Sequence, residues 1–308
     1  MPRIPRSLIK EKNRCFHVIS RTTGQDFLLD DASREALTQR IRWLSSVYFV
    51  RVFAYCVLSN HFHLLVQMVD ADLYSDQEVE ERFIRYYGPK RSFTPERIDA
   101  LRRRWSDLSE YVKEIKQGFS RWYNKLHDRH GHFWSERFRS VVVEKGSSLL
   151  TCMAYIDLNA VRAGVTERPE SYRYCSLGYH LRTGNRDGFL SLSLSELDSP
   201  SESPLTLYRR FVYGSGRIRS GVDRRGIPEE MIQQEESRGY RLSVKDRLRF
   251  KSRYFTEGVV LGSREFVRSV FMRLRPALGL RKDRCPCAVD GLSLYSFRRL
   301  RETDRPLS

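Results

Sequence analysis

Tyr55-Cys56-Val57-Leu58-Ser59-Asn60-His61-Phe62-His63-Leu64-Leu65-Val66 is the stretch on which the fold turns. Residues 48–58 are β-branched and aromatic, which predicts a strand. Ser59-Asn60 is turn chemistry, and 61–68 predicts a second strand, so the two make a hairpin. Upstream, 14–20 reads as a strand and 31–44 as a helix. That helix has Asp31 at its N-cap and Ala36, Leu37, Ile41 and Leu44 on one face. Downstream, 107–129 reads as a helix carrying Leu108, Tyr111, Ile115, Phe119, Trp122 and Leu126, ended by Gly131. A strand is expected over 133–144, centred on Val141-Val142-Val143. A helix over 147–163 follows, closed by Gly164 in the C′ position. Strand, helix, strand, strand, helix, strand is the order of a split βαβ, ferredoxin-like antiparallel sheet, an α+β fold, and the last helix would pack on that sheet.

Three stretches lie outside this pattern. Residues 70–107 are polar and charged, broken by Gly88-Pro89 and Pro95, and are expected as an insertion with one or two short helices. Residues 183–204, rich in Ser, Gly, Asp and Pro, read as a linker or long surface loop. Residues 205–308 are Arg-dense and mostly helical by pattern, and are expected as an accessory domain; Arg247, Arg249, Lys251, Arg253, Arg264, Arg268, Arg273 and Arg275 supply much of its charge.

The 308 residues are 40% hydrophobic, enough for a sizeable core, and carry 55 Lys and Arg against 38 Asp and Glu, a net charge of +17. A globular chain so basic most often meets a polyanion. No 18-residue apolar run suggests a membrane span, and Met1-Pro2-Arg3-Ile4-Pro5-Arg6 has no apolar core of a signal peptide. A cytoplasmic, nucleoid-associated protein is expected. Its six scattered cysteines read as free thiols; Cys285-Pro286-Cys287 has no second pair to complete a zinc site.

Two patterns bear on chemistry. Alternation along a strand puts His61 and His63 on one side and Phe62 and Leu64 on the other, buried side. Two such imidazoles can share a divalent ion, although on spacing alone two His in a strand are more often plain surface or core residues. On the helix over 147–163, Tyr155 and Asn159 are four apart and share a stripe with Cys152 and Arg162, beside an apolar stripe of Leu149, Met153, Ile156 and Ala160. A phenol can be a covalent nucleophile, an amide oxygen suits a hard cation, and a guanidinium can hold a phosphate. A tyrosine at the edge of the core is the plain alternative. A rival phenol, Tyr123, has His127 four residues later. His17, His127, His130, His132 and His180 show no partner in the sequence and read as structural or surface residues.

The hairpin motif just quoted resembles the metal-binding strand of the IS200-like Y1 (HUH) transposases, and among them the REP-associated tyrosine transposases. Gly131-His132-Phe133-Trp134-Ser135-Glu136-Arg137-Phe138-Arg139-Ser140 is similar to the strand entry before their last helix. Tyr155-Ile156-Asp157-Leu158-Asn159-Ala160-Val161-Arg162-Ala163-Gly164 is similar to their tyrosine helix. The three motifs stand in the family's order within residues 8–180, and Gly258 to Val267 resembles a segment of longer members. The resemblance implies a catalytic domain over 1–182, Tyr155 as nucleophile, His61, His63 and Asn159 as metal ligands, and Mg²⁺ or Mn²⁺ as cofactor. It implies hairpin-forming single-stranded DNA as partner, met by Arg162, Arg137 and Arg139, in a monomer or homodimer. Asn159, where Gln also occurs in the family, is one methylene shorter, and 70–107 is longer than in compact members. Two other functions stay open: a domesticated nucleic-acid-binding protein without chemistry, and a metal phosphodiesterase that uses water. Against the latter, Leu65 and Val66 stand where an HxHxDH hydrolase would bring further ligands.

Overall fold

The computed structural model describes residues 13–24, 28–192, 194–218, 225–241, 260–274, 285–289 and 294–296. In chain order its main elements are β1 (Cys15–Arg21), α1 (Asp31–Ser45), β2 (Val50–Val57), β3 (His61–Met68), α2 (Asp76–Tyr87), α3 (Ile98–Trp105) and α4 (Leu108–Leu126). There follow β4 (Arg139–Val143), α5 (Ser147–Asp157), α6 (Asn159–Arg162), α7 (Ser176–Thr183), α8 (Pro204–Gly216) and α9 (Glu229–Ser237). The sheet runs β2-β3-β1-β4 and every pairing is antiparallel. This is the split βαβ arrangement: β3 returns from the hairpin and slots between β1 and β2.

Both faces of the sheet are covered, which is why β3 reads as nearly continuous apolar sequence. Phe62, Leu64, Leu65 and Val66 are all fully buried. One face meets α1, on which α4 packs; α5 crosses the other. Helix α1 buries Leu37, Ile41 and Leu44. Its N-cap is Asp30, not the expected Asp31. Asp30 keeps extended backbone, and its Oδ1 accepts the Ser33 N–H at 2.8 Å, while Asp31 is already helical. Helix α4 starts after the Asp107 cap and buries Leu108, Tyr111, Ile115, Phe119 and Tyr123. Trp122 and Leu126, expected on that face, are exposed, because at 3.6 residues per turn Tyr123 follows Phe119 in the buried stripe.

The expected insertion is ordered structure packed into the core. Helix α2 opens with a Ser75/Glu78 capping box and buries Val79 and Phe83, and α3 buries Leu101 and Trp105. Arg82 donates to the Ser46, Val47 and Tyr48 carbonyls at 3.0–3.2 Å, satisfying chain just beyond the end of α1. Strand β4 is shorter than expected. Residues 133–135 still bond to residues 21–23 through an isolated Thr22–Trp134 bridge. The ladder is interrupted before Arg139, and Phe133 is buried against Phe119 and Tyr123, with ring centroids 5.1 and 4.5 Å away.

Residues 183–204, expected as a linker or surface loop, lie against the β2 edge. Gly184 ends α7 in the left-handed region, Leu190 bridges to Val52, and the Ser191 N–H donates to the Val52 carbonyl at 2.8 Å. Phe189 and Leu190 are buried there, and Leu197 is buried in a turn that meets α8. Helix α8 then packs on α5. Farther on, Leu261–Gly262, Cys287–Val289 and Leu294–Ser296 make a small antiparallel sheet beside the helix Arg264–Leu274. Arg247, Arg249, Lys251, Arg253 and Arg275 lie outside the described residues. Among the described residues no helix is long and apolar enough to cross a membrane, and the cysteines are free thiols.

Candidate active site

The site lies on the face of the sheet that α5 crosses. On β3, His61 and His63 share that face, with ring centroids 5.0 Å apart, and Phe62 and Leu64 fill the opposite side. Strand register brings β1 into the site. Arg21 pairs with His61 and Ile19 with His63, so His17 stands one step diagonally along the same face. His17 Nε2 and His63 Nδ1 are 2.9 Å apart and their rings stack at 5.2 Å. His17 is therefore a site residue, and the sequence reading that left it without a partner is corrected. Its signal was the alternation of β1, which becomes legible only once the β1–β3 register is known.

Burial sets the charge state of the three imidazoles. His63 is only 4% exposed and His17 8%. Loss of hydration lowers His63 to about 3, helped by His61, His17 and Arg21, and His17 to about 4. Desolvation, with Arg21 adding, lowers His61 to about 4. All three are neutral at pH 7, the form that ligates metals. His61 Nδ1 lies 2.7 Å from Asn60 Oδ1. That acceptor puts the ring proton on Nδ1 and leaves Nε2 as the lone-pair nitrogen. His17 offers His63 the same service: accepting an Nδ1–H would leave His63 Nε2 for a cation.

Helix α5 brings Tyr155 over this pair. Its ring centroid is 6.0 Å from that of His63 and 6.0 Å from that of His17. It is 41% exposed, so it faces the site rather than the core. The Arg162 guanidinium carbon sits 4.9 Å from the Tyr155 ring centroid. Leu149, Met153, Ile156 and Ala160 form the buried stripe behind, as the periodicity predicts.

The expected single helix over 147–163 is broken at Leu158, which separates α5 from α6. Asn159 stands at that break. Its amide nitrogen donates to the Tyr155 carbonyl at 2.9 Å and the Ile156 carbonyl at 3.3 Å. Its side chain thus bonds to its own helix rather than to either imidazole, and Oδ1 is the atom left for a ligand. Among the described residues no three His, Cys, Asp or Glu cluster in a metal-holding arrangement. A divalent ion here would rest on two imidazoles and neutral oxygen, a donor set compatible with Mn²⁺ and, less well, with Mg²⁺.

Arg139 is aligned with the site: Ile19 pairs with His63 on one side and Arg139 on the other. Its exposed side chain makes a 3.7 Å pair with Glu136. Arg137, also exposed, lies in the irregular entry to β4. Tyr123 is on the far side of the sheet, buried, with its ring 4.1 Å from His127 and 4.5 Å from Phe133; it is not brought to the imidazole pair.

No protein-family model and no curated protein matches the chain. Two solved structures are similar to it in fold. One is a REP-associated tyrosine transposase bound to a REP hairpin, at 15% identity over 60% of this chain and 87% of that one, with a TM-score of 0.41. The other is a protein from Deinococcus radiodurans R1 carrying a provisional transposase label. It is 13% identical over 54% of this chain and 92% of that one, with a TM-score of 0.27. Likeness at this level carries no argument about chemistry, which rests on the side chains themselves.

Proposed function

We propose that this chain nicks and rejoins single-stranded DNA beside a hairpin, with Tyr155 as covalent nucleophile. One observation carries the reading: an exposed phenol, two neutral imidazoles on one strand face and a guanidinium converge at one place. The order and wording of the three sequence motifs support it, as does the strongly basic composition.

The Tyr155 oxygen attacks a backbone phosphorus, and the bond from phosphorus to the 3′ oxygen breaks. The 3′ oxygen leaves with a proton as a free hydroxyl, and the 5′ phosphate stays on the tyrosine. In rejoining, a 3′ hydroxyl attacks that phosphorus and the tyrosine leaves. Bond energy is conserved, so no nucleotide cofactor is needed. Arg162 lies beside the phenol, where it would hold the phosphate and oppose its charge. His61 and His63, with Asn159 Oδ1, would hold Mg²⁺ or Mn²⁺; when bound, the ion supplies charge neutralisation at the scissile phosphate. Arg139 and Arg137, both exposed on or just before β4, are the residues assigned to backbone phosphates beyond the scissile one.

Incubating the full chain with labelled hairpin-bearing single-stranded DNA and Mn²⁺, then denaturing, tests this. The expected product is a covalent protein–DNA adduct that vanishes in Tyr155→Phe. Cleavage without an adduct would assign the reaction to water, and salt-sensitive binding without cleavage would make the chain a binding protein only.

A further inference from the structure

Two residues beyond Tyr155, Asp157 is fully buried, and each of its oxygens is used. Oδ1 accepts from Ser176 Oγ at 2.6 Å and from the Leu177 N–H at 2.9 Å; Oδ2 accepts from the Tyr208 hydroxyl at 2.6 Å. The Tyr55 N–H of β2 donates to the same Ser176 Oγ at 3.2 Å. A continuous chain of bonds thus joins the sheet, the end of α5 and α8.

Residues two apart on a helix point to nearly opposite sides. Tyr155 faces outward over the imidazoles, and Asp157 faces inward to this anchor. The anchor sits at the break around Leu158, where the helical ladder is least able to hold its own course. Helix α8 meets that break a second time. At Gly216, a Cβ would come within 2.7 Å of Leu158 Cδ2 and 2.9 Å of Ile227 Cδ1, so any larger residue there would push the Leu158 side chain aside. Helix α8 is itself held firmly: Arg209, next to Tyr208, is 2% exposed and donates to Glu170 at 2.7 Å and Glu235 at 2.9 Å.

We infer that α8, through Tyr208 on Asp157 and Gly216 on Leu158, is the support that positions the Tyr155 phenol. Tyr208 and Asp157 are positioning residues, since neither faces the site. The inference rests on the proposed chemistry for its consequence, and on the bond network for the support itself.

The test uses the full chain with Tyr208→Phe, which removes one oxygen and no packed volume, and Gly216→Ala, which crowds Leu158. Two readouts run in parallel: the single-turnover rate of adduct formation on saturating hairpin DNA with Mn²⁺, and amide hydrogen exchange. For both variants the expected rate loss is about tenfold or more, because a displacement well under an ångström misaligns an attacking oxygen. DNA affinity should stay within about twofold, since the phosphate-binding arginines are untouched. Exchange in the peptide 147–163 should quicken by about tenfold while the α4 peptide keeps its wild-type rate. Wild-type rate and wild-type exchange at 147–163 would overturn the inference. So would faster exchange spread evenly over the chain with an unchanged rate per folded molecule. If the wild-type protein forms no adduct, the proposed chemistry falls, and the exchange pattern alone decides whether α8 supports the helix.

Discussion

Acidification from pH 7 to pH 5 will destabilise the metal-free protein, by an amount that follows from its buried histidines. His17, His63 and His180 are 8%, 4% and 5% exposed, with burial lowering them to about 4, 3 and 4 from an ordinary 6.5. Above pH 6.5 the native and unfolded forms are both neutral. Between 6.5 and the native values the unfolded chain takes up protons that the native one refuses, so stability falls with pH. For one such group the loss from pH 7 to 5 is about 2 kcal/mol. His17 and His63 share a hydrogen bond and titrate together, so the pair counts for about 3 kcal/mol rather than 4.

Asp157 acts in the other direction. Burial raises its carboxyl from 3.8 to about 6, against hydrogen bonds from Ser176, Tyr208 and the Leu177 N–H, among others, that lower it. Its contribution is fully present below 3.8 and lost as pH rises through 6, so acidification to pH 5 returns about 1 kcal/mol. These groups together give a loss of about 4 kcal/mol, to which His61, lowered to about 4, adds in the same direction; that is a large share of the 5–15 kcal/mol typical of a folded protein. Urea unfolding in EDTA at the two pH values, followed by tryptophan fluorescence, measures it. His180→Gln should remove part of the dependence without touching the site. A difference below about 1 kcal/mol would refute the reasoning that burial keeps these imidazoles neutral.

Three further outcomes are expected. Mn²⁺ at a hundred times its dissociation constant should stabilise the wild-type protein by about 2.7 kcal/mol, and His61→Ala or His63→Ala should abolish most of that gain in a thermal melt. Arg139→Ala should weaken single-stranded DNA binding across sequences and lower the slope of log affinity against log salt by about 0.7, measured by titration at several salt concentrations. Arg209→Leu should cost about 3–5 kcal/mol in urea unfolding, because Glu170 and Glu235, 4% and 1% exposed, lose a buried partner.

Much of the frame was legible because it is written in local periodicity. The hairpin at Ser59-Asn60, the span of β3 and the shared face of His61 and His63 follow from alternation along a strand. The buried stripe of Leu149, Met153, Ile156 and Ala160 follows from helical spacing, and with it the outward placement of Tyr155. Composition misled where small polar residues surround a few anchors: 183–204 reads as loose, yet Phe189, Leu190 and Leu197 hold it down. Residues 70–107 read as charged, yet Val79, Phe83, Leu101 and Trp105 are core.

Sequence alone determined which side chains share a face, since that depends only on the 2.0 and 3.6 residue repeats of the backbone. Tertiary structure decided which faces meet. His17 joins His63 through a register set across 46 positions of chain, and Tyr208 reaches Asp157 across 51. Such contacts depend on how distant segments bury one another, and no local repeat encodes that. The break at Leu158, where Asn159 turns its amide back on its own helix, belongs with them, because the carboxylate beside it answers to partners far along the chain.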